Sequence, residues 1–164
     1  MNAPETLKRD SLYLAQTHEV VNVSNELVDY NAYTQDAALV DGVAREGGGW
    51  AHEALTAFGQ LTGSAETIEL GALANRNPPE FDTHDRFGNR VDLVRFHPSY
   101  HRLMQTAIEH GLHSSPWTDP RAGAHVARAA PTSLQTQVEA GHGWPITMTF
   151  AAIPALRHTS GLAA

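Results

Sequence analysis

The sequence contains no cysteine. That excludes disulfides, a thiolate nucleophile and any Cys-ligated zinc site. Long apolar runs are missing as well. No segment approaches the ~20 consecutive apolar residues that a membrane-spanning helix needs. The opening "MNAPETLKRDSLYLAQ" lacks the apolar stretch of a signal peptide. A soluble, cytoplasmic protein without a membrane partner is expected. Positive charge is scarce: 11 Lys and Arg face 18 Asp and Glu, a formal net charge of −7. Such a surface repels phosphate backbones, so nucleic acid is not an expected partner of this chain.

What is present suits a folded domain. Apolar residues make up 41 % of the 164 and charged ones 18 %, a balance that can bury a core rather than stay disordered. The length fits one domain. Ten histidines make the charge sensitive to pH between roughly 5 and 7.

The pattern along the chain is helical. Residues 1–33 read as an arm whose short apolar pieces are broken by Asn, Ser and Asp, and which must lie on something larger to be ordered. Residues 34–157 read as the domain and 158–164 as a tail. Thr34 or Asp36 is placed to cap a first helix with Leu39, Val40 and Val43 as its stripe, stopped by Gly47-Gly48-Gly49. A second helix begins near Trp50, with Trp50, Ala54, Phe58 and Leu61 at helical spacing and Gly63 at its end. A third starts after Ser64, with Glu66 in its first turn and Ala65, Ile68 and Ala72 inward. "NPP" at 77–79 ends it. Phe-Gly-Asn at 87–89 is turn chemistry and predicts a small β-hairpin over 81–95. A fourth helix runs over 98–110, with Leu103, Met104, Ala107 and Ile108 inward and Gly111 past its end. "HSSPWTDP" reads as a loop. A fifth helix covers about 121–140, carrying Val126, Leu134 and Val138 and interrupted at Pro131 by a kink, break or restart. A sixth begins near Pro145, with Ile146, Phe150 and Ile153 as its stripe. The expected fold class is therefore mainly all-α, with five or six helices and one hairpin insert.

Candidate chemistry is thin. His97 and His101 stand four apart, a spacing that holds a metal when both rings hang from one helix face. Pro98 argues against this. It disfavours helical geometry at the residue before it and suits the first helical position, so His97 belongs at the N-cap. Gly47-Gly48-Gly49 precedes a helix but lacks the preceding strand and the Gly-Lys-Ser/Thr ending of a phosphate loop, so it reads as a helix stop. Glu66 and Glu69 are spaced for an acid–base pair but read as a solvated face. Thr147, Met148 and Thr149 fit a ligand-facing turn less well than a core helix. No catalytic, cofactor-binding or metal-ligating residue is assigned.

Four phrases taken together carry more than any one motif: "THEVVNVSNELVDYN", "REGGGWAHEALTAFGQLTGSAETIELGALANRNPPE", "DLVRFHPSYHRLM" and "ARAAPTSLQTQVEAGHGWPITMTFAA". From about residue 17 to 157 the chain resembles the N-terminal part of AidB-type adaptive-response proteins, a branch of the acyl-CoA dehydrogenase family. The resemblance implies an N-terminal helical domain that precedes a β-domain and a four-helix bundle. It implies FAD between those two in the parent, often with help from a neighbouring subunit. It also implies a glutamate that takes the α-proton of an acyl-CoA while hydride passes to the flavin. The branch is linked to the response to DNA alkylation, with DNA binding associated with the C-terminal part. The family's flavin loop, Met-Thr followed shortly by Gly-Gly-Ser-Asp, is not found. "ITMTFAA" matches an earlier helix, and Pro131 departs from the pattern. No cofactor is thus expected on this chain alone, with FAD assigned to the parent. The expected partners are the parent's β-domain and bundle, and a second copy in a homo-oligomer. An independent helical interaction module and a His-rich metal binder are the alternatives.

Overall fold

The computed structural model describes residues 21–159 and 161. Among them run seven α-helices and one β-hairpin. In chain order these are α1 (Ala37–Arg45), α2 (His52–Thr62), α3 (Ala65–Arg76), strands β1 (Glu80–His84) and β2 (Arg90–Arg95), α4 (Pro98–Glu109), α5 (Ser115–Thr118), α6 (Ala124–Val138) and α7 (Gly143–Arg157). A 3₁₀ turn, Gly49–Ala51, leads into α2.

Local signals set most boundaries. Asp36, not Thr34, caps α1, its carboxylate accepting from the Leu39 amide at 2.9 Å. Ser64 caps α3 in the same way, accepting from the Thr67 amide. The ends of α1 and α4 share one device. Gly47 and Gly111 adopt positive φ, which costs glycine no steric penalty. The next amide then reaches back to the Val43 or Ala107 carbonyl at 2.8 and 3.0 Å, turning the chain sharply and satisfying carbonyls the helix leaves open.

The core lies where α2, α4, α6 and the start of α7 meet. Leu55, Phe58, Ala107, Leu134 and Ile146 are buried there together with Val43 of α1. Tyr33 joins them at 1 % exposure. The segment before α1 is tied to α2 by Ala32, whose amide donates to the Gly59 carbonyl, and by Asn31, whose side chain donates to the Thr56 carbonyl. Gln135 is buried beside Leu103 and donates to its carbonyl, joining α6 to α4.

Several expectations need correction. The inward face of α2 is Leu55, Phe58 and Thr62, one position round from the expected stripe; Trp50, Ala54 and Leu61 are exposed. Trp50 is drawn aside because its indole donates to the Ala122 carbonyl while the Arg121 guanidinium lies 3.4 Å over its ring. In α3 the buried positions are Thr67 and Gly71, with Ile68 and Ala72 half-buried and Ala65 exposed. Ile108 points outward on α4, because the buried row there runs Ser99, Leu103, Ala107. The expected loop after Gly111 holds the one-turn α5, helped by Pro116 at its start. Pro131 does not divide the fifth helix: α6 is one element from Ala124 to Val138, with the proline ring buried inside it. The sixth helix begins two residues early and carries Pro154 within it.

The hairpin stands apart from this core. β1 and β2 pair antiparallel with Phe81 opposite Val94 and Asp82 opposite Leu93. A register irregularity follows at Asp82/His84, and Asp92 beside it has φ 45°, the signature of a bulge. The turn is built by Asp85, whose carboxylate accepts from the Phe87 and Asn89 amides at 2.8 and 2.9 Å. Of the two strands only Asp82 is half-buried; every other residue is exposed. No helix among the described residues is long and apolar enough to cross a membrane.

Candidate functional site

Where the hairpin returns to the body, three elements build a groove of about 450 Å³. Pro78 enters from the end of α3, Phe96, His97 and Tyr100 from the start of α4, Glu139 from the turn after α6 and Trp144 from the first turn of α7. Phe96 stacks on Tyr100 with ring centroids 4.1 Å apart. His101 meets both rings edge-on. Trp144 also lines the groove and is 74 % exposed.

The floor is held by one carboxylate. Glu139 accepts from the Gly141 amide at 2.6 Å, the His142 amide at 2.9 Å and the His142 ring Nδ1 at 2.8 Å. Both side chains are buried. Burial alone would raise the Glu139 carboxyl. The hydrogen bonds from His142 and Gly141, with the charge on the imidazole, outweigh it and hold the group below the usual carboxylate range. Burial, and secondarily the Glu139 charge, push the Tyr100 phenol up. A carboxylate so occupied is a poor proton acceptor, because proton transfer would first break its bonds. Its chemistry here is to fix a turn.

The residues singled out in the sequence do not converge on this groove. His97 alone lines it, as the N-cap of α4 with extended backbone, its Nδ1 accepting from the Ser99 amide at 3.2 Å. His101 lies one turn into the helix and is exposed. Glu66 and Glu69 are exposed on α3. Gly47 to Gly49 form the α1 stop described above. Thr147, Met148 and Thr149 all face outward, although the helix around them was expected to bury them; of that stretch only Ile146 is buried. The Glu139–His142 turn was missed. Its signal was "EAGHG", a carboxylate followed closely by glycines ahead of an apolar run, which is local turn chemistry.

A flavin loop would need free backbone amides. Met148 and Thr149 lie inside α7, where the helix consumes those amides. These residues do not fit FAD.

The chain is similar in fold to the crystal structure of Caenorhabditis elegans ACDH-11 in complex with C11-CoA. The TM-score is 0.72 at 22 % identity, over 86 % of this chain and 25 % of that one. A second solved structure, Bd2924 in its apo form, gives 0.74 at 21 % identity, over 86 % of this chain and 29 % of that one. These likenesses define the class: a mainly helical domain of the acyl-CoA dehydrogenase fold. The model of the adaptive response protein AidB N-terminal domain matches residues 22–164, and the chain belongs to that family. It is 51 % identical over 142 residues to the Escherichia coli (strain K12) protein named "Putative acyl-CoA dehydrogenase AidB". The match covers 86 % of this chain and 26 % of that protein. The chain thus spans about a quarter of the length of its relatives.

Proposed function

We propose that this chain is the N-terminal structural domain of an acyl-CoA dehydrogenase-like flavoprotein of the DNA alkylation response branch. In this reading residues 34–157 form the helical domain, 1–33 an arm and 158–164 a tail. The domain closes one side of the parent's flavin and acyl cavity and contributes subunit contacts. It performs no catalysis by itself. FAD and the catalytic glutamate belong to the parent's other segments, and metal plays no part at His97 and His101. The parent is cytoplasmic.

The observation that carries the reading is the hairpin. A two-stranded hairpin is marginal in water unless something covers it. Here Phe81, Leu93 and Val94 are 60 %, 50 % and 47 % exposed. Phe81 and Val94 pair across one face, while Arg95 binds Glu80 and Asp82 at 3.1 and 3.0 Å. Apolar side chains kept outward on an otherwise ion-paired ribbon are what an interdomain contact requires.

The test replaces Phe81→Ser and Val94→Ser together in the full-length parent. The isolated domain should keep its stability within about 0.5 kcal/mol, as exposed positions do. The parent should lose flavin content and show faster amide exchange across β1 and β2. Unchanged exchange and full flavin content would overturn the assignment.

A further inference from the structure

A second cavity lies between α2, α5 and α6. Its volume is about 210 Å³. Trp50, Leu55, Phe58, Ala124, Ala127 and Pro131 supply apolar walls. Two guanidiniums also line it, and they differ in circumstance. Arg121 is committed: it covers the Trp50 ring and binds Asp119 at 3.2 Å. Arg128 is not. Its Nε donates to the Leu112 carbonyl at 2.7 Å and its Cζ sits 3.9 Å over the Phe150 ring. Its Nη2 is buried without a hydrogen-bond partner. Among the described residues no carboxylate pairs with it.

A partly buried cation without a counter-ion is costly, and protein interiors rarely leave one so. Burial already pulls the Arg128 guanidinium below its ordinary value. The chain is acidic overall, yet among the described residues no carboxylate is paired with this guanidinium. Small-molecule sites are mostly apolar with a few placed polar groups, and a guanidinium in that role suits a small organic anion. The volume falls below the roughly 300–1,000 Å³ of pockets for drug-sized ligands, which excludes a nucleotide and fits a single ring. Trp50 and Phe58 offer aromatic walls for that ring.

We propose that this pocket binds a compact aromatic carboxylate, its ring against Trp50 and Phe58 and its carboxylate against Arg128. Nη2, the atom left without a partner, takes the anion, while Nε keeps Leu112 and Phe150 holds the plane of the group. Arg121 neutralises Asp119 and so removes the repulsion that an entering anion would meet.

Amide NMR on the purified chain tests this with benzoate and its neutral isostere benzamide as probes. Benzoate should cause saturable shifts that centre on the Trp50 indole, Ala124 and Ala127, with benzamide about tenfold weaker or more. Arg128→Gln should weaken benzoate by a similar factor, and Arg128→Lys should retain part of the affinity. If the glutamine variant does not fold, the benzoate-to-benzamide ratio on the native chain decides. Equal binding of the two probes, or no saturable shift up to roughly 10 mM benzoate, would overturn the proposal.

Discussion

Glu139 pins the turn between α6 and α7. Its carboxylate gathers two amides and one imidazole at the point where the chain reverses between α6 and α7. Losing it leaves buried donors unmet, at about 1–3 kcal/mol. Its folded-state carboxyl is held below the ordinary value. The contribution is therefore complete above the unfolded value of about 4.3 and disappears as pH falls through the lower folded value. Glu139→Gln should reduce urea-unfolding stability near neutral pH by the amount above, and the gap between variant and native chain should close in acid. A gap that stays constant with pH would mean the carboxylate charge is irrelevant. Arg128 is the other residue whose setting only the fold reveals. Nothing in "HVARAAP" shows that its guanidinium comes to lie over Phe150 on another helix.

The proline in α6 is a matter for the whole element. Pro131 provides no amide for the Ala127 carbonyl, and a proline in a helix interior costs ~3 kcal/mol. The helix nevertheless runs through it, held by packing against α1, α2, α3, α5 and α7. Pro131→Ala restores the donor but loses part of the buried ring, at ~1 kcal/mol, and frees the unfolded chain by up to ~1 kcal/mol. The balance favours the variant by about 1 kcal/mol, visible as a higher urea midpoint at unchanged slope. A lower midpoint would show that ring packing dominates. The existence and order of the long helices were legible in the sequence, since caps such as Ser64 and stops such as Gly47 and Gly111 are local chemistry. The hairpin was legible for the same reason: Phe-Gly-Asn needs no tertiary context to turn. Facing was not. Trp50/Ala54/Phe58/Leu61 and Leu55/Phe58/Thr62 are both helical rows sharing Phe58, and the choice between them was made by Ala122 and Arg121, some seventy residues away. The groove beside Glu139 was hidden for a related reason, since its walls come from three separated elements.

At the scale of the molecule, the described residues leave apolar surface uncovered at the hairpin, at Val21, Val23 and Leu27 ahead of α1, and at α7, where Trp144, Met148 and Leu156 are 74 %, 59 % and 48 % exposed. Covering such surface returns about 25 cal/mol per Å², so the isolated chain is expected to self-associate, with α7 or the N-terminal arm at the contact. Light scattering across a dilution series should show a falling mass, and Met148→Lys should shift the curve toward monomer. A monomer at high micromolar concentration would oppose this and would favour an independent module.

The hairpin also divides the chain without dividing the core. Everything before it ends with α3, everything after it begins with α4, and the main packing crosses that line, α3 on α4 and α2 on α6. Arg86 and Phe87 sit at its tip, both exposed, with the Phe87 ring at 74 %. A single nick after Arg86 by trypsin should therefore sever the covalent thread and leave the particle whole. Residues 1–86 and 87–164 should travel together through a sizing column and part only in denaturant. Produced separately, each half would lack the surface the other supplies, and mixing them should regenerate the helical signal. The protein is in this sense two interlocking peptides joined by a ribbon, and its fold should be titratable into existence by adding one to the other.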